Sequence, residues 1–159
     1  MKIVENNDVK SQAENVLAAF NDEEALENGL EKAHNFHMSG DLQASCEVYN
    51  AIIDEIPECD EAWGQLGMIG AELGDLNNAL LCLENASRLM PENSQYHSVK
   101  GDLYQMAGLE EEAIECYQKT LSINSGDSHA VSQLALISQN VLVDAVEQPV
   151  AEFDVAEGL

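Results

Sequence analysis

The chain has very few basic residues. Its 159 residues include 6 lysines and arginines against 30 aspartates and glutamates, so the formal net charge at pH 7 is −24. No basic residue follows Lys119. Because so negative a surface repels phosphate groups, we expect neither nucleic acid nor a bare anionic membrane as a direct partner. Such a surface favours a basic partner or one held by apolar contact. The simpler alternative is that the acidic residues only confer solubility.

Cysteine pairs and long apolar runs are also missing. The four cysteines, Cys46, Cys59, Cys82 and Cys116, form no C-x-x-C motif, and we expect them to be reduced and mostly buried thiols of a cytosolic protein. No apolar run approaches the ~18 residues of a membrane span. The N-terminal sequence MKIVENNDVK lacks the apolar core of a signal peptide. These absences predict a cytoplasmic location.

Catalytic motifs are absent as well. The chain has no G-x-S-x-G, no H-E-x-x-H and no P-loop, and its many carboxylates fit solvated helix faces. His34 and His37 form an H-x-x-H pair whose spacing suits a metal ion, but no cysteine or third histidine is near them in sequence. We therefore expect no metal, no cofactor and no enzymatic activity.

An internal repeat of 34 residues organises the chain. Gly40-Asp41-Leu42 is followed by Gly74-Asp75-Leu76 and then by Gly108-Leu109-Glu110, so the glycines recur from 40 to 74 and from 74 to 108. Pro57 and Pro91 repeat the same interval. A 34-residue period with a central glycine and a closing proline is typical of stacked helix–turn–helix units. The sequence therefore predicts an all-α solenoid.

The repeat sets the expected boundaries. We predict a mobile N-terminus over 1–10, an N-terminal helical segment over 11–25, repeats over 26–59, 60–93 and 94–127, a capping helix over 128–143, and an acidic flexible tail over 144–159. The short N-terminal helix is indicated by the S-x-x-E capping box of Ser11 and Glu14. The tail either remains disordered, serves as a short docking motif, or lies back in a groove of the solenoid.

These residues resemble the tetratricopeptide repeat family over roughly 26–142. The matching residues are Ala33, Phe36, Gly40, Tyr49 and Pro57 in the first repeat, Trp63, Leu66, Gly67, Gly74, Ala79, Ala86 and Pro91 in the second, and Gly101, Tyr104, Gly108, Ala113 and Tyr117 in the third. The residues that depart from the pattern are Ser45, Ile52, Gly70, Leu83 and Thr120. The small residues Ala33, Gly67, Gly101 and Ala135 are expected to let paired helices approach closely. The resemblance implies a curved stack whose concave groove is lined by the first helix of each repeat, as in adaptors, co-chaperones and assembly scaffolds.

The resemblance also implies which residues face that groove. Carried onto this chain, the partner-binding positions are Glu27, Leu30, His34, His37, Met38, Glu61, Gln65, Met68, Ala71, Glu72, Gln95, Ser98, Asp102, Gln105, Met106, His129 and Gln133. None of them is lysine or arginine, which disfavours an acidic C-terminal peptide of a heat-shock chaperone as the ligand. Three methionines beside Glu72 and Asp102 favour an apolar segment with some positive charge, unless these methionines are only half-buried solenoid residues.

Three functions remain open from the sequence. The first is a non-catalytic adaptor that binds a peptide segment of a partner in its groove. The second is a cytoplasmic chaperone for a hydrophobic client, because size, acidity and three repeats resemble the translocator chaperones of type III secretion. The third is a self-assembling scaffold, a homo-oligomer in which the tail or N-terminal helix of one copy docks on the next.

Overall fold

Seven helices follow one another in the part of the chain that the structure describes. The computed structural model describes residues 23–147, with side chains for residues 23–140. The helices are α1 Glu23–Met38, α2 Leu42–Glu55, α3 Asp60–Glu72, α4 Leu76–Leu89, α5 Ser94–Met106, α6 Glu110–Ile123 and α7 Ser128–Glu147, with no strand in this range. The predicted mobile N-terminus, the helix near 11–20 and most of the predicted tail lie outside the described residues.

Each helix pair turns at a glycine with left-handed backbone. Gly40, Gly74 and Gly108 have φ angles of 82°, 74° and 74°. This conformation costs a residue with a Cβ atom about 1–2 kcal/mol, so glycine is the favoured residue there. The turn also satisfies the end of the preceding helix, for example through the Asp41 amide, which donates to the Phe36 carbonyl at 2.9 Å. The predicted turn glycines are confirmed.

Small residues sit where paired helices come closest. Ala33 is fully buried, a Cβ added at Gly67 would lie 2.5 Å from Leu83 Cγ, and one at Gly101 would lie 2.6 Å from Tyr117 Cε1. The prediction for these three positions is therefore confirmed. The prediction for Ala135 is wrong, because this residue is exposed. The reason is that Ala135 lies on α7, and within the described residues no helix follows α7 to pack on it.

The core is a series of apolar clusters along the stack. One is centred on α1, α2 and α3, a second on α4 and α5, and a third on α6 and α7. In the third cluster, Ala130 and Ile137 of α7 pack with Ala113 and Tyr117 of α6. α7 therefore covers the end of the last repeat, as predicted, and the architecture is an all-α solenoid.

Polar residues at positions where the pattern expects alanine make internal hydrogen bonds. The Ser45 hydroxyl is buried and donates to the Ala33 carbonyl at 2.8 Å. The Thr120 hydroxyl is likewise buried and donates to the Cys116 carbonyl at 3.0 Å. Because both hydroxyls are satisfied, these two departures from the pattern leave the close packing intact.

The last helix is longer than predicted. α7 ends at Glu147 rather than near 143. No glycine or proline interrupts the sequence from 128 to 147, and Pro149 then disfavours helical backbone at the residue before it. None of the helices between residues 23 and 147, including the long helix α7, is both long enough and apolar enough to cross a membrane.

The four cysteines are free thiols. Cys59 is buried and the other three are half-buried. Burial raises the pKa of all four thiols, and for Cys46, Cys59 and Cys82 nearby acidic groups or a neighbouring thiol add to the rise. Such thiols stay protonated and weakly nucleophilic at neutral pH.

Candidate protein-binding face

The first helices of successive repeats form one continuous surface, here named the first-helix face and built from α1, α3, α5 and the start of α7. Three side-chain contacts cross from one of these helices to the next. His37 Nε2 lies 2.9 Å from Glu72 Oε1, and the Gln95 side-chain amide donates to Met68 Sδ at 3.8 Å. His129 Nε2 lies 2.7 Å from Asp102 Oδ1. All six residues belong to the set predicted to face the groove.

Most of the predicted residues are accessible on the surface. The exposed ones are Glu27, His34, Met38, Glu61, Glu72, Gln95, Met106 and His129. The half-buried ones are Leu30, His37, Gln65, Met68, Ala71, Asp102, Gln105 and Gln133. Leu30 and Ala71 also pack against the apolar clusters beneath them.

Ser98 differs from the other predicted residues. It retains only 9% of its accessible surface and is therefore part of the interior. The error is one of register: Ser98 is the counterpart of Gly64, which is also buried, whereas Gln65 and Gln133 both correspond to Val99 at the 34-residue period. We correct the prediction for Ser98, which offers a ligand almost no surface.

Two exposed methionines flank a carboxylate on this face. Met38, Glu72 and Met106 occupy equivalent points of α1, α3 and α5, since they follow one another at the 34-residue period. Met38 is 72% exposed and Met106 is 63% exposed, which is unusual for large apolar side chains. The face thus offers two flexible thioethers with an anionic group between them.

The side chains of Tyr117 and His129 both contact the carboxylate of Asp102. The buried Tyr117 hydroxyl donates to Asp102 Oδ1 at 2.7 Å and lies 3.0 Å from Gln105 Oε1. The ring of His129, whose Nε2 bonds the same carboxylate, meets the Tyr117 ring edge-on with centroids 6.1 Å apart. Burial, followed by the hydrogen bond to Asp102, raises the pKa of Tyr117 far above its usual value, so the hydroxyl remains a donor.

A second bond between a tyrosine and a carboxylate joins α5 to α3. The Tyr96 hydroxyl donates to Asp60 Oδ2 at 2.8 Å, and burial together with this bond raises the pKa of Tyr96. From the sequence, Tyr117 is a match to the repeat pattern, and neither Tyr96 nor Asp60 stands out. No local signal could have revealed these bonds, because each tyrosine lies 15 or 36 residues from its carboxylate.

At the predicted positions of the face, the charged groups are acidic or are histidines. None of the predicted positions carries a lysine or arginine. His37 and His129 each contact a carboxylate, at 2.9 Å and 2.7 Å. Within residues 23–147, no group of three or more histidine, cysteine, aspartate or glutamate residues is placed to hold a metal ion. The predicted positions thus present thioether, carboxylate, amide and imidazole groups on the surface.

Two of the repeat units match the model of a known repeat family. Residues 60–93 and 94–127 each match the tetratricopeptide repeat model, and α1 and α2 form a preceding pair with the same glycine turn. Together with the helical solenoid, this match identifies residues 60–127 as two consecutive tetratricopeptide repeats. Arrays of this family are protein–protein interaction modules and are generally not catalytic.

Known proteins with similar sequence or structure are consistent with this assignment. A TPR repeat-containing protein of Methanocaldococcus jannaschii is 29% identical over 124 residues, which are 78% of this chain and 21% of that protein. This chain therefore spans about a fifth of that relative. The crystal structure of MamA superposes with a TM-score of 0.73 at 21% identity, over 91% of this chain and 88% of that one.

A second similar structure carries a peptide. It is the first TPR of Spaghetti (RPAP3) bound to the HSP90 peptide SRMEEVD, with a TM-score of 0.71 at 19% identity, over 76% of this chain and 96% of that one. At such identity the likeness shows a common fold. It does not transfer the ligand.

Proposed function

We propose that the protein is a non-catalytic adaptor that holds a peptide segment of a partner protein on its first-helix face. Binding is reversible and needs no cofactor. The observation that carries this proposal is the pair of exposed methionines, Met38 and Met106, placed on either side of Glu72 on adjacent first helices. A cytoplasmic location belongs to the same proposal, since four free thiols suit a reducing compartment.

The methionines supply apolar affinity. Covering a methionine side chain completely is worth about 1.5–3 kcal/mol. Met38 and Met106 are 72% and 63% exposed, so a ligand that covers both gains roughly 1–2 kcal/mol from each. Thioether side chains also adapt to differently shaped apolar groups. We therefore expect a ligand with at least two apolar anchors rather than a purely polar peptide.

The carboxylates set the charge preference of the ligand. Glu72 and Asp102 lie on the face, and none of the predicted positions offers a lysine or arginine to bind a carboxylate. The ligand in the Spaghetti structure, SRMEEVD, is rich in acidic residues. We propose the opposite preference here, a segment that combines apolar side chains with lysine or arginine, and exclude nucleic acid for the same electrostatic reason.

Two matched peptides test the charge preference. One is SRMEEVD, and the other has its three acidic residues replaced by lysine and its C-terminus amidated. Fluorescence anisotropy at physiological salt is expected to show at least tenfold tighter binding of the basic peptide. Asp102→Asn should weaken that binding while keeping an acceptor for the Tyr117 hydroxyl, and Glu112→Gln on the exposed side of α6 is the control. Tighter binding of SRMEEVD would contradict the proposal.

A second pair of variants tests the apolar contribution. Met38→Ser combined with Met106→Ser should weaken binding of the basic peptide by about tenfold or more, because two partly covered methionines are lost. The control is Leu81→Ser combined with Met90→Ser, which removes two side chains that are 60% and 51% exposed and belong to no first helix. Equal loss of affinity in both double variants would show that binding is not confined to the first-helix face.

Capture of the tagged full chain from its native cells separates the adaptor from the two alternatives. A dominant partner lost in the Met38→Ser and Met106→Ser variant supports the adaptor. A partner with long membrane-inserting helices would instead make the protein a chaperone for a hydrophobic client. Recovery of the chain alone, at a mass that rises with protein concentration, would favour the self-assembling scaffold.

A further inference from the structure

The outer side of α7 is open in the described part of the chain. We name it the α7 outer face and define it by five residues whose spacing places them on one side of the helix, namely Val131, Ser132, Ala135, Leu136 and Gln139. All five are exposed, and the two largest apolar members, Val131 and Leu136, leave 51% and 49% of their surface accessible. Between residues 23 and 140, no helix packs over this face.

In the preceding repeats the same face is covered. At the 34-residue period, none of the five counterparts in α3 is exposed, and none of those in α5. The following second helix contributes to this cover, since a Cβ added at Gly67 would meet Leu83 of α4 and one added at Gly101 would meet Tyr117 of α6. The α7 outer face is therefore the surface that receives a second helix in each complete repeat.

The chain does not turn back onto this face in the register of the earlier repeats. After Gly40, Gly74 and Gly108, the period places the next turn glycine at position 142, which is leucine. The backbone stays helical through this position, and α7 runs for 20 residues against 13 in α3 and 13 in α5. The second helix that follows each earlier turn glycine therefore has no counterpart at this point of the described chain.

Charge distinguishes the α7 outer face from most of the described surface. Helices α1, α2, α3, α4 and α6 each expose at least one aspartate or glutamate, whereas residues 128–143 contain no aspartate, glutamate, lysine or arginine. Two copies that each carry a net charge of −24 repel one another where acidic surfaces meet. Along α7 this repulsion is least, and a charged partner finds no ion pair there. The surface that matches this face in charge and polarity is the same face of a second copy.

The opposite end of the array does not match the α7 outer face. Where α3 packs apolar side chains onto the preceding repeat, α1 carries the polar residues Asn28, Lys32 and Asn35. Their counterparts in α3, all of which belong to or pack against the first apolar cluster, are Ala62, Leu66 and Ile69. A head-to-tail contact would place Val131 and Leu136 against polar groups of α1, so the symmetric contact between two α7 helices is favoured.

We propose that two copies of the chain associate through their α7 outer faces. The two α7 helices lie against each other across a two-fold axis, so that each takes the place of a second helix on the other. Because both outer faces are then covered, assembly stops at two copies. Such a dimer presents two first-helix faces, and the bivalent adaptor that results is a consequence that rests on the proposed function, whereas the dimer itself does not.

The size of the contact sets its expected strength. A helix of 20 residues is about 30 Å long and about 10 Å across. One face of such a helix falls well short of the ~800 Å² that each partner buries in a standard interface. We therefore expect a reversible dimer with a dissociation constant of roughly 10–100 µM.

Sedimentation equilibrium of the full chain tests the proposal. The mean mass should rise from 17.3 kDa towards twice this value, and no further, as the protein concentration increases from about 1 µM to about 1 mM. A mass that stays at one chain throughout this range would overturn the proposal, and so would a mass that continues to rise beyond two chains.

A charged double variant locates the contact on α7. Val131→Glu combined with Leu136→Glu places like charges on both sides of the two-fold axis and should weaken the dimer by about tenfold or more. Leu81→Glu combined with Met90→Glu is the matched control, because it adds the same charge at side chains that are 60% and 51% exposed and lie away from α7. Circular dichroism checks that both variants keep their helical content. An equal dissociation constant in the α7 variant and the unchanged protein would refute the contact, as would an equal loss in the control.

Salt separates this proposal from the proposed function. Raising NaCl from about 0.1 M to about 1 M shortens the Debye length from about 10 Å to about 3 Å, so repulsion between the two acidic copies falls and the dimer should tighten several-fold. Binding of the basic peptide to the first-helix face should weaken over the same range. A dimer that weakens with salt would depend on charged surfaces rather than on α7 and would contradict the proposal.

Cross-linking identifies the neighbour of the face. A photo-reactive benzoylphenylalanine in place of Gln139 should link two chains, with the linked peptide of the second chain belonging to α7. Cross-links confined to one chain, or links to α1 of the second copy, would refute the symmetric pair.

Discussion

Substitution of Gly101 by alanine tests how tightly this solenoid is packed. Helix propensity alone favours alanine over glycine within a helix by about 1 kcal/mol. The structure predicts the opposite sign at this position. A Cβ at Gly101 would lie 2.6, 2.8 and 2.9 Å from three atoms of the Tyr117 ring. The ring has no free space, because Tyr117 is fully buried and its hydroxyl is bonded to Asp102.

The expected magnitude follows from these contacts. Inserting a methyl group into a well-packed site costs typically about 1–3 kcal/mol. Moving the ring aside to make room weakens the hydrogen bond to the Asp102 carboxylate, and a bond to a charged group is worth about 1.5–3 kcal/mol. After the gain in propensity is subtracted, Gly101→Ala should lower the free energy of unfolding by about 1–2 kcal/mol.

A paired substitution separates packing from propensity. Ala33→Gly, at the equivalent point of the first repeat, should also destabilise the protein by about 1 kcal/mol, because alanine fits there and glycine gains unfolded-state entropy. Urea unfolding followed by circular dichroism measures both variants. If packing outweighs helix propensity at Gly101, the urea midpoints of both variants fall. A higher midpoint for Gly101→Ala would refute the reasoning, since it would mean that the Tyr117 ring moves aside freely.

Two further predictions concern buried polar groups. The Lys100 ammonium is buried apart from 11% of its side chain and pairs with Glu84, so Glu84→Gln should destabilise the protein by about 1–3 kcal/mol in urea unfolding. Lys100→Leu, which copies Leu66 at the equivalent repeat position, should be neutral or stabilising, and a large loss would contradict this. Burial raises the pKa of Tyr49 to about 12. Because this tyrosine ionises at a lower pH in the unfolded chain than in the folded protein, the free energy of unfolding should fall from about pH 10 to 12 by up to about 1.4 kcal/mol per pH unit. A free energy of unfolding that stays constant over this range would contradict the prediction.

Local chemistry explains how much of the fold could be predicted from the sequence. The turns at Gly40, Gly74 and Gly108 follow from the backbone conformation that only glycine adopts without cost. The 34-residue period then predicts the positions of the helices and of their buried small residues, since every repeat packs against its neighbour in the same way. The same reasoning placed the candidate face on the first helices, although partner binding by those residues stays a prediction.

The tertiary structure, and not the repeat register, determines how deeply each residue is buried and which side chains it contacts. Ala135 is exposed although its counterparts Gly67 and Gly101 are buried, because burial depends on whether a neighbouring helix is present and how it lies. The bonds from Tyr117 to Asp102 and from Tyr96 to Asp60 join residues of different helices. A periodic sequence thus determines which helix face each residue occupies, by local geometry. Depth, partners and the fixed orientation of the carboxylates depend on distances between helices, which only the assembled stack establishes.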